Sequence, residues 1–152
     1  MKRQEHHSPA AAGTTEIILE IFRVNGLLLA AGDRLTADLG LSSARWQVMG
    51  AIVDGPLPVA AIGRRMGLTR QAVQRVADDL VQSGHCAFAS NPDHKRAKLL
   101  GFTAKGDAAY AAISARQVAW SNALARGLSR RRLAAVLAVL GVLRGRLERS
   151  NA

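Results

Sequence analysis

Apolar positions recur at helical spacing through most of the chain, and two short stretches break the rule. Ile17, Ile18, Ile21, Phe22, Leu28, Leu29 and Leu35 share one broad face, the pattern of an amphipathic helix. Thr14 or Thr15 suits its N-cap and Gly40 its C-cap, so a helix is predicted from there to about residue 39. Gly26 and Gly32 are weak points in it. A second helix is predicted over 44–54, behind a Ser42 or Ser43 cap, with Trp46, Val48, Met49 and Ile52 inward. Gly55-Pro56-Leu57-Pro58 then interrupts the pattern, and Pro58 suits the first turn of a short helix over 59–66. Gly67 closes that helix, and Leu68-Thr69 leads into the next.

That next stretch, 68–80, has two unlike faces. Val73, Val76, Ala77 and Leu80 form a buried stripe. Arg70, Gln71, Gln74 and Arg75 occupy the opposite face within the first two turns, and Thr69 is a good N-cap. Arg and Gln bond bidentately to guanine and adenine edges in a major groove. Taken alone, the stretch equally describes a solvated amphipathic helix. Its context argues for more, because two helices joined by about three residues with a glycine between form a helix-turn-helix.

The two stretches without helical period come next. Residues 86–90 and Leu99-Leu100-Gly101-Phe102 read as strands, and Asn91-Pro92-Asp93-His94 between them is turn chemistry. A hairpin after a helix-turn-helix is a wing. Its tip carries His94, Lys95 and Arg96, with Lys98 just behind, and a narrow minor groove attracts inserted cations. Two helices complete the chain. One runs from Thr103 or Ala104 to about residue 126 and includes Tyr110, Ile113, Val118 and Trp120. The other follows a Ser129 cap to about residue 149, with Leu133, Val136, Leu137, Leu140, Leu143 and Leu147 as a seam. Arg130, Arg131 and Arg132 open it against the macrodipole.

The predicted fold is therefore mainly α with a small β-hairpin wing: a winged helix-turn-helix domain with N- and C-terminal helices. Residues 1–13 are expected to be a disordered tail, 14–40 and 104–150 a helical region that packs on another helix or a second subunit, and 41–103 the winged helix-turn-helix DNA-binding region. The terminal helices are too apolar to stand uncovered.

Charge sharpens the picture. The chain of 152 residues carries a formal net charge of +10, which points to a polyanionic partner. Residues 1–44 hold 4 Lys/Arg against 5 Asp/Glu, residues 45–106 hold 9 against 4, and residues 107–152 hold 8 against 2. The excess begins where the helix-turn-helix does. Arg outnumbers Lys by 17 to 4, which favours planar, bidentate contacts, although a GC-rich genome gives the same bias. Cys86 is the single cysteine, so no intrachain disulfide forms. The first residues have no apolar core of a signal peptide, and no run reaches the roughly 20 apolar residues of a membrane span. A soluble, cytoplasmic protein is expected. His6 and His7 are adjacent but lack partner ligands, so neither a metal site nor a cofactor is expected.

Order of elements and residues together resemble the MarR family of winged-helix transcriptional regulators. The likeness is densest in Ser43-Ala44-Arg45-Trp46-Gln47-Val48, in the run from Val59 through Arg75, and in the run from Asn91 through Thr103. The resemblance implies a homodimer whose first and last helices interlock across a two-fold axis. It also implies a pseudo-palindromic double-stranded DNA site with half-sites about one helical turn apart. Many members are repressors released by small ligands, often aromatic acids. Arg70, Gln71, Gln74 and Arg75 would read bases, Thr69 and Lys98 would meet phosphates, and Arg96 would enter the minor groove, with His94 and Lys95 beside it. The family's wing commonly has an Asp two residues before the groove-reaching Arg. Here that position is His94 and Asp93 lies one step earlier, so Asp93 either buttresses Arg96 through a shifted turn or leaves the wing held otherwise.

Other functions have weaker footing. Cys86 follows His85, and a nearby cation lowers a thiol pKa, so a redox-responsive regulator is one alternative; a small buried side chain is the plainer account. Trp46, Tyr110 and Trp120 are candidate walls of a pocket for a small aromatic ligand, with Trp46 as a core residue the alternative. A non-specific architectural DNA binder would use the same charge. No phosphate loop, nucleophile elbow, HExxH or paired Cys occurs, so no catalytic residue is assigned and an enzyme is not expected.

Overall fold

The computed structural model describes residues 8–94 and 96–150. His6, His7 and Lys95 lie outside the described residues. The first helix, α1, is Pro9–Thr36, so it starts earlier than a Thr14 or Thr15 cap predicts, and residues 8–13 are not a disordered tail. Ser8 is the N-cap, its hydroxyl accepting from the Ala11 amide at 3.2 Å, and Pro9 takes the first helical position. Proline lacks an N–H where none is needed, and the three alanines after it are the best helix formers. Thr14 and Thr15 bond back to the Ala10 and Ala11 carbonyls at 2.8 and 3.0 Å.

Gly26 does not interrupt α1, and Gly32 has a packing reason to be there. A β-carbon at Gly32 would collide with Ser43 Oγ. Ser43 donates its hydroxyl to the Leu29 carbonyl at 2.6 Å and its amide to Asp33 Oδ1 at 2.7 Å. These bonds fix the start of the second helix, α2 (Ser43–Ala51), against α1. Between them lie a 3-10 turn, Ala37–Leu39, and Gly40 in the left-handed region at φ 66°.

The short helix α3 is Val59–Met66, and α4, the predicted recognition helix, is Arg70–Gln82. The predicted stripe Val73, Val76, Ala77 and Leu80 is buried. It joins Val48, Met49, Ile62, Leu100 and Ile113 in one core. The turn between α3 and α4 is tight. Gly67 ends α3 at φ 66°, and the Leu68 amide donates to the Gly63 carbonyl at 2.9 Å.

The wing contains one strand more than the predicted hairpin. Strands β1 (Leu57–Pro58), β2 (Cys86–Ala89) and β3 (Leu99–Phe102) form an antiparallel sheet in the order β1-β3-β2. Leu57 pairs with Leu100 and Pro58 with Leu99, while Ala89 pairs with Leu99 on the other side. Pro58 is tolerated because β1 is an edge strand, where a missing donor costs nothing. The segment that reads as a chain breaker is thus also a sheet edge.

Helix α5, Ala104–Leu124, begins behind Thr103, whose hydroxyl oxygen accepts from the Gly106 amide at 3.1 Å. The chain packs as two units, Met1–Ala115 and Arg116–Ala152, and their boundary falls within α5. In the second unit, α6 (Arg130–Ser150) starts at the expected cap, Ser129, which accepts from the Arg132 amide at 3.3 Å. No residue of α6 is buried, and its seam residues Leu133, Val136, Leu137 and Leu147 are exposed. Among the described residues no helix is long and apolar enough to cross a membrane.

Candidate nucleic-acid interface

Helix α4 supplies the first half of the interface. Thr69 caps it, accepting from the Ala72 amide at 3.1 Å. Arg70, Gln71 and Arg75 are exposed and Gln74 is half-buried. Their positions follow from the helical period: with the Val73–Leu80 stripe turned into the core, these side chains must face out. They form two neighbouring rows, Arg70 with Gln74 and Gln71 with Arg75. The Gln74 Nε2 donates to Asp78 Oδ1 at 2.8 Å, one turn further along the first row.

The wing supplies the second half. Asn91 shapes its tip, its side-chain oxygen accepting from the Asp93 amide at 3.0 Å and its carbonyl from the His94 amide at 3.3 Å. The Ala97 amide then donates to the His94 carbonyl at 3.0 Å. His94, Arg96 and Lys98 are exposed. Asp93 and Arg96 form no ion pair among the described residues; the turn is held by Asn91 instead.

Between the two halves lies a groove of about 760 Å³. Pro58, Val59 and Phe88 give it an apolar floor, and Arg64, Arg70, Arg96 and Lys98 a cationic rim. Gln74, Asn91 and His94 also reach it, while Gln71 and Arg75 stand outside it on the same helix. Sequence reasoning missed Arg64 and Asn91. Arg64 and Arg65 are adjacent and alike, but their surroundings separate them. Arg65 donates to the Ala51 carbonyl at 3.1 Å and pairs with Asp54 at 2.9 Å, so it ties α3 to the end of α2. Arg64 is exposed and lines the groove. Arg45 plays a similar tying role, meeting Asp79 on α4 at 3.6 Å.

The other candidates fall elsewhere. Trp46 and Tyr110 are half-buried and pack on the core of the first unit, with the Tyr110 ring 5.5 Å from that of Phe102. Trp120 belongs to the second unit and is half-buried. Cys86 is 2% exposed, and burial, then the Asp107 carboxylate, push its thiol pKa up to about 11. This placement favours the plainer account, a small buried side chain, over the alternative of a thiol activated by a nearby cation. His85 supplies no such cation: burial first, then Lys105 and Arg45, hold its pKa below the ordinary value. Its Nδ1 lies 2.9 Å from the Ser83 hydroxyl. Among the described residues no group of His, Cys, Asp and Glu is arranged to hold a metal ion.

Comparison with known proteins agrees with this geometry. The family model described as MarR family matches residues 39–97. An uncharacterized protein of Mycobacterium tuberculosis is 39% identical over 109 residues, spanning 72% of this chain and 76% of that protein. Among solved structures, a MarR/EmrR family transcriptional regulator of an Acinetobacter species superposes with a TM-score of 0.80 at 17% identity, covering 90% of this chain and 97% of the other. CouR of Rhodococcus jostii, bound to p-coumaroyl-CoA, gives 0.76 at 20% identity over 86% of this chain and 92% of its own. At these identities the two structures speak for the fold alone. The mainly helical fold, the small three-stranded sheet and the family match agree, and the family's members are DNA-binding regulators of transcription rather than enzymes. This chain belongs to the MarR family of winged helix-turn-helix transcriptional regulators.

Proposed function

We propose that the protein is a homodimeric repressor that binds a pseudo-palindromic promoter site and leaves it when a small aromatic ligand binds. One observation carries the DNA-binding part: Arg70 and Gln74 of α4 share a groove with Arg96 and Lys98 of the wing. A hydrogen-bonding helix face beside a cationic hairpin matches a major groove with its flanking minor groove and phosphates. Thr69, Gln71 and Arg75 extend the contact along α4, and His94 extends it along the wing; Lys95, outside the described residues, is kept as a candidate from the sequence alone.

Dimerisation is supported by uncovered apolar surface in each unit. On α1, Phe22 is 69% and Leu27 71% exposed, and on α6, Leu137 is 69% exposed. Surfaces of this kind are covered by a partner. Residues 14–40 and 104–150 are the dimerisation region in this reading, and 41–103 the DNA-binding region. Trp46 and Tyr110 in the first unit, and separately Trp120 in the second, stand as candidate pocket residues, and an aromatic acyl ligand such as that of CouR is the class to try first.

The test is fluorescence anisotropy at fixed salt, comparing the protein's own promoter DNA with random duplex. A preference of ~10³ or more supports a sequence-specific regulator, and a ratio near one would make it an architectural DNA binder. Release of the promoter by p-coumaroyl-CoA or a simple phenolic acid would support ligand control.

A further inference from the structure

Asp78 sits on α4 in the row of Arg70 and Gln74, where a polyanion is expected. A carboxylate there repels phosphate, so electrostatics alone does not explain it. Its contact does. A carboxylate accepts and cannot donate, so the Gln74 group that meets Asp78 Oδ1 at 2.8 Å has to be the NH2. That contact fixes which end of the carboxamide is which. One N–H is engaged by Asp78, while the second N–H and Oε1 have no other hydrogen bond among the described residues.

This free pair matters for base recognition. Adenine offers an N6 donor and an N7 acceptor in the major groove, which one N–H and one carbonyl oxygen satisfy together. Guanine offers two acceptors, O6 and N7, and an amide serves both only by giving both of its N–H groups. With one N–H held by Asp78, that second mode is lost.

We propose that Asp78 is a positioning residue that holds the Gln74 carboxamide by its NH2 group, so that Gln74 accepts adenine and rejects guanine at its base pair. The proposal rests on the DNA-binding function proposed for this face. Asp78 is exposed, so replacing it leaves the core untouched.

The experiment is selection from a random duplex pool by the full-length wild type, Gln74→Ala, Asp78→Ala and Asp78→Asn. Affinities of the recovered duplex and of its A-to-G variants follow. The base pair whose preference disappears in Gln74→Ala is the one Gln74 reads. At that pair Asp78→Ala should lose about five- to tenfold of the preference for A over G, a fraction of what a bidentate contact confers. Asp78→Asn can donate as well as accept, so it no longer dictates which end of the carboxamide faces it and should lose part of the preference while binding all DNA more tightly. The double variant Gln74→Ala/Asp78→Ala should lose no more preference than Gln74→Ala, as for two residues acting through one contact. Unchanged preference in Asp78→Ala overturns the proposal. So does a loss at a different base pair, which would make Asp78 a reader itself. If the wild type enriches no sequence, the sequence-specific regulator reading fails and the proposal fails with it.

Discussion

Gly63 and Leu68 approach so closely that a β-carbon at Gly63 would lie 2.8 Å from the Leu68 carbonyl oxygen. The contact sets the angle at which α4 leaves α3, since the obstacle is backbone and not a side chain that can swing away. Gly63→Ala should therefore lower stability by about 1–3 kcal/mol, the usual cost of overpacking. Chemical denaturation monitored by circular dichroism measures it. A variant as stable as wild type would mean that the turn relaxes freely.

Arginines and lysines around the groove should separate by salt dependence. Lys98→Ala and Arg64→Ala should weaken binding to all sequences alike and reduce the slope of log affinity against log salt by about one each. Arg75→Ala should cost about 1–3 kcal/mol on the selected site and relax specificity there. Arg65→Ala should leave the salt slope unchanged, because Arg65 is committed to Asp54 and the Ala51 carbonyl. Titrations at several salt concentrations distinguish these outcomes. An Arg64→Ala variant with the wild-type slope would remove Arg64 from the interface.

Cys86 should behave as an inert thiol. Its folded pKa of about 11 stands above the ordinary value of 9.0. The neutral thiol is thus favoured by folding, and its contribution is complete below about pH 9 and declines as pH rises toward 11. In native protein near neutral pH, alkylation of Cys86 should be slow, and peroxide should leave DNA affinity unchanged. Rapid alkylation of the native state would contradict the buried placement.

His85 should act in the opposite direction on the pH scale. Its folded pKa lies below the ordinary 6.5, with burial as the first cause. The neutral ring is favoured in the folded state, so stability is complete above about pH 6.5 and falls as pH drops from there toward the folded pKa. A neutral replacement, His85→Gln, should flatten this acid limb in denaturation midpoints measured between about pH 7 and pH 5. An unchanged acid limb would assign it to other groups.

The recognition helix was legible in the sequence because everything it needs lies within one stretch. Val73, Val76, Ala77 and Leu80 mark the inner face by period alone, and Thr69 marks the start. The Ser8-Pro9 start of α1 is written in the chain as well, but the apolar periodicity begins only at Ile17, so the pattern alone places the start too late. Strand β1 could not be read, since two residues carry no period and Pro58 argues against a strand. Nor could Arg64 be told from Arg65. Their difference is about 100° of helix rotation and depends on where α2 and the wing lie. Asp78 stands one turn from Gln74, so its spacing was visible, yet only the 2.8 Å contact shows which group it holds.

The sheet order has a kinetic consequence. Because β3 is the middle strand, its partners Leu57–Pro58 and Cys86–Ala89 come from either side of the recognition helix in sequence. A hairpin alone is marginal in water and gains stability only when a third strand or a helix covers it. Closing β1 onto β3 thus encloses the α3–α4 turn in one loop, at an entropic cost. Helix α4 and the wing beside it should consequently open and close as one cooperative unit, with common hydrogen-exchange protection along α4 and β3 rather than a fraying wing on a fixed helix.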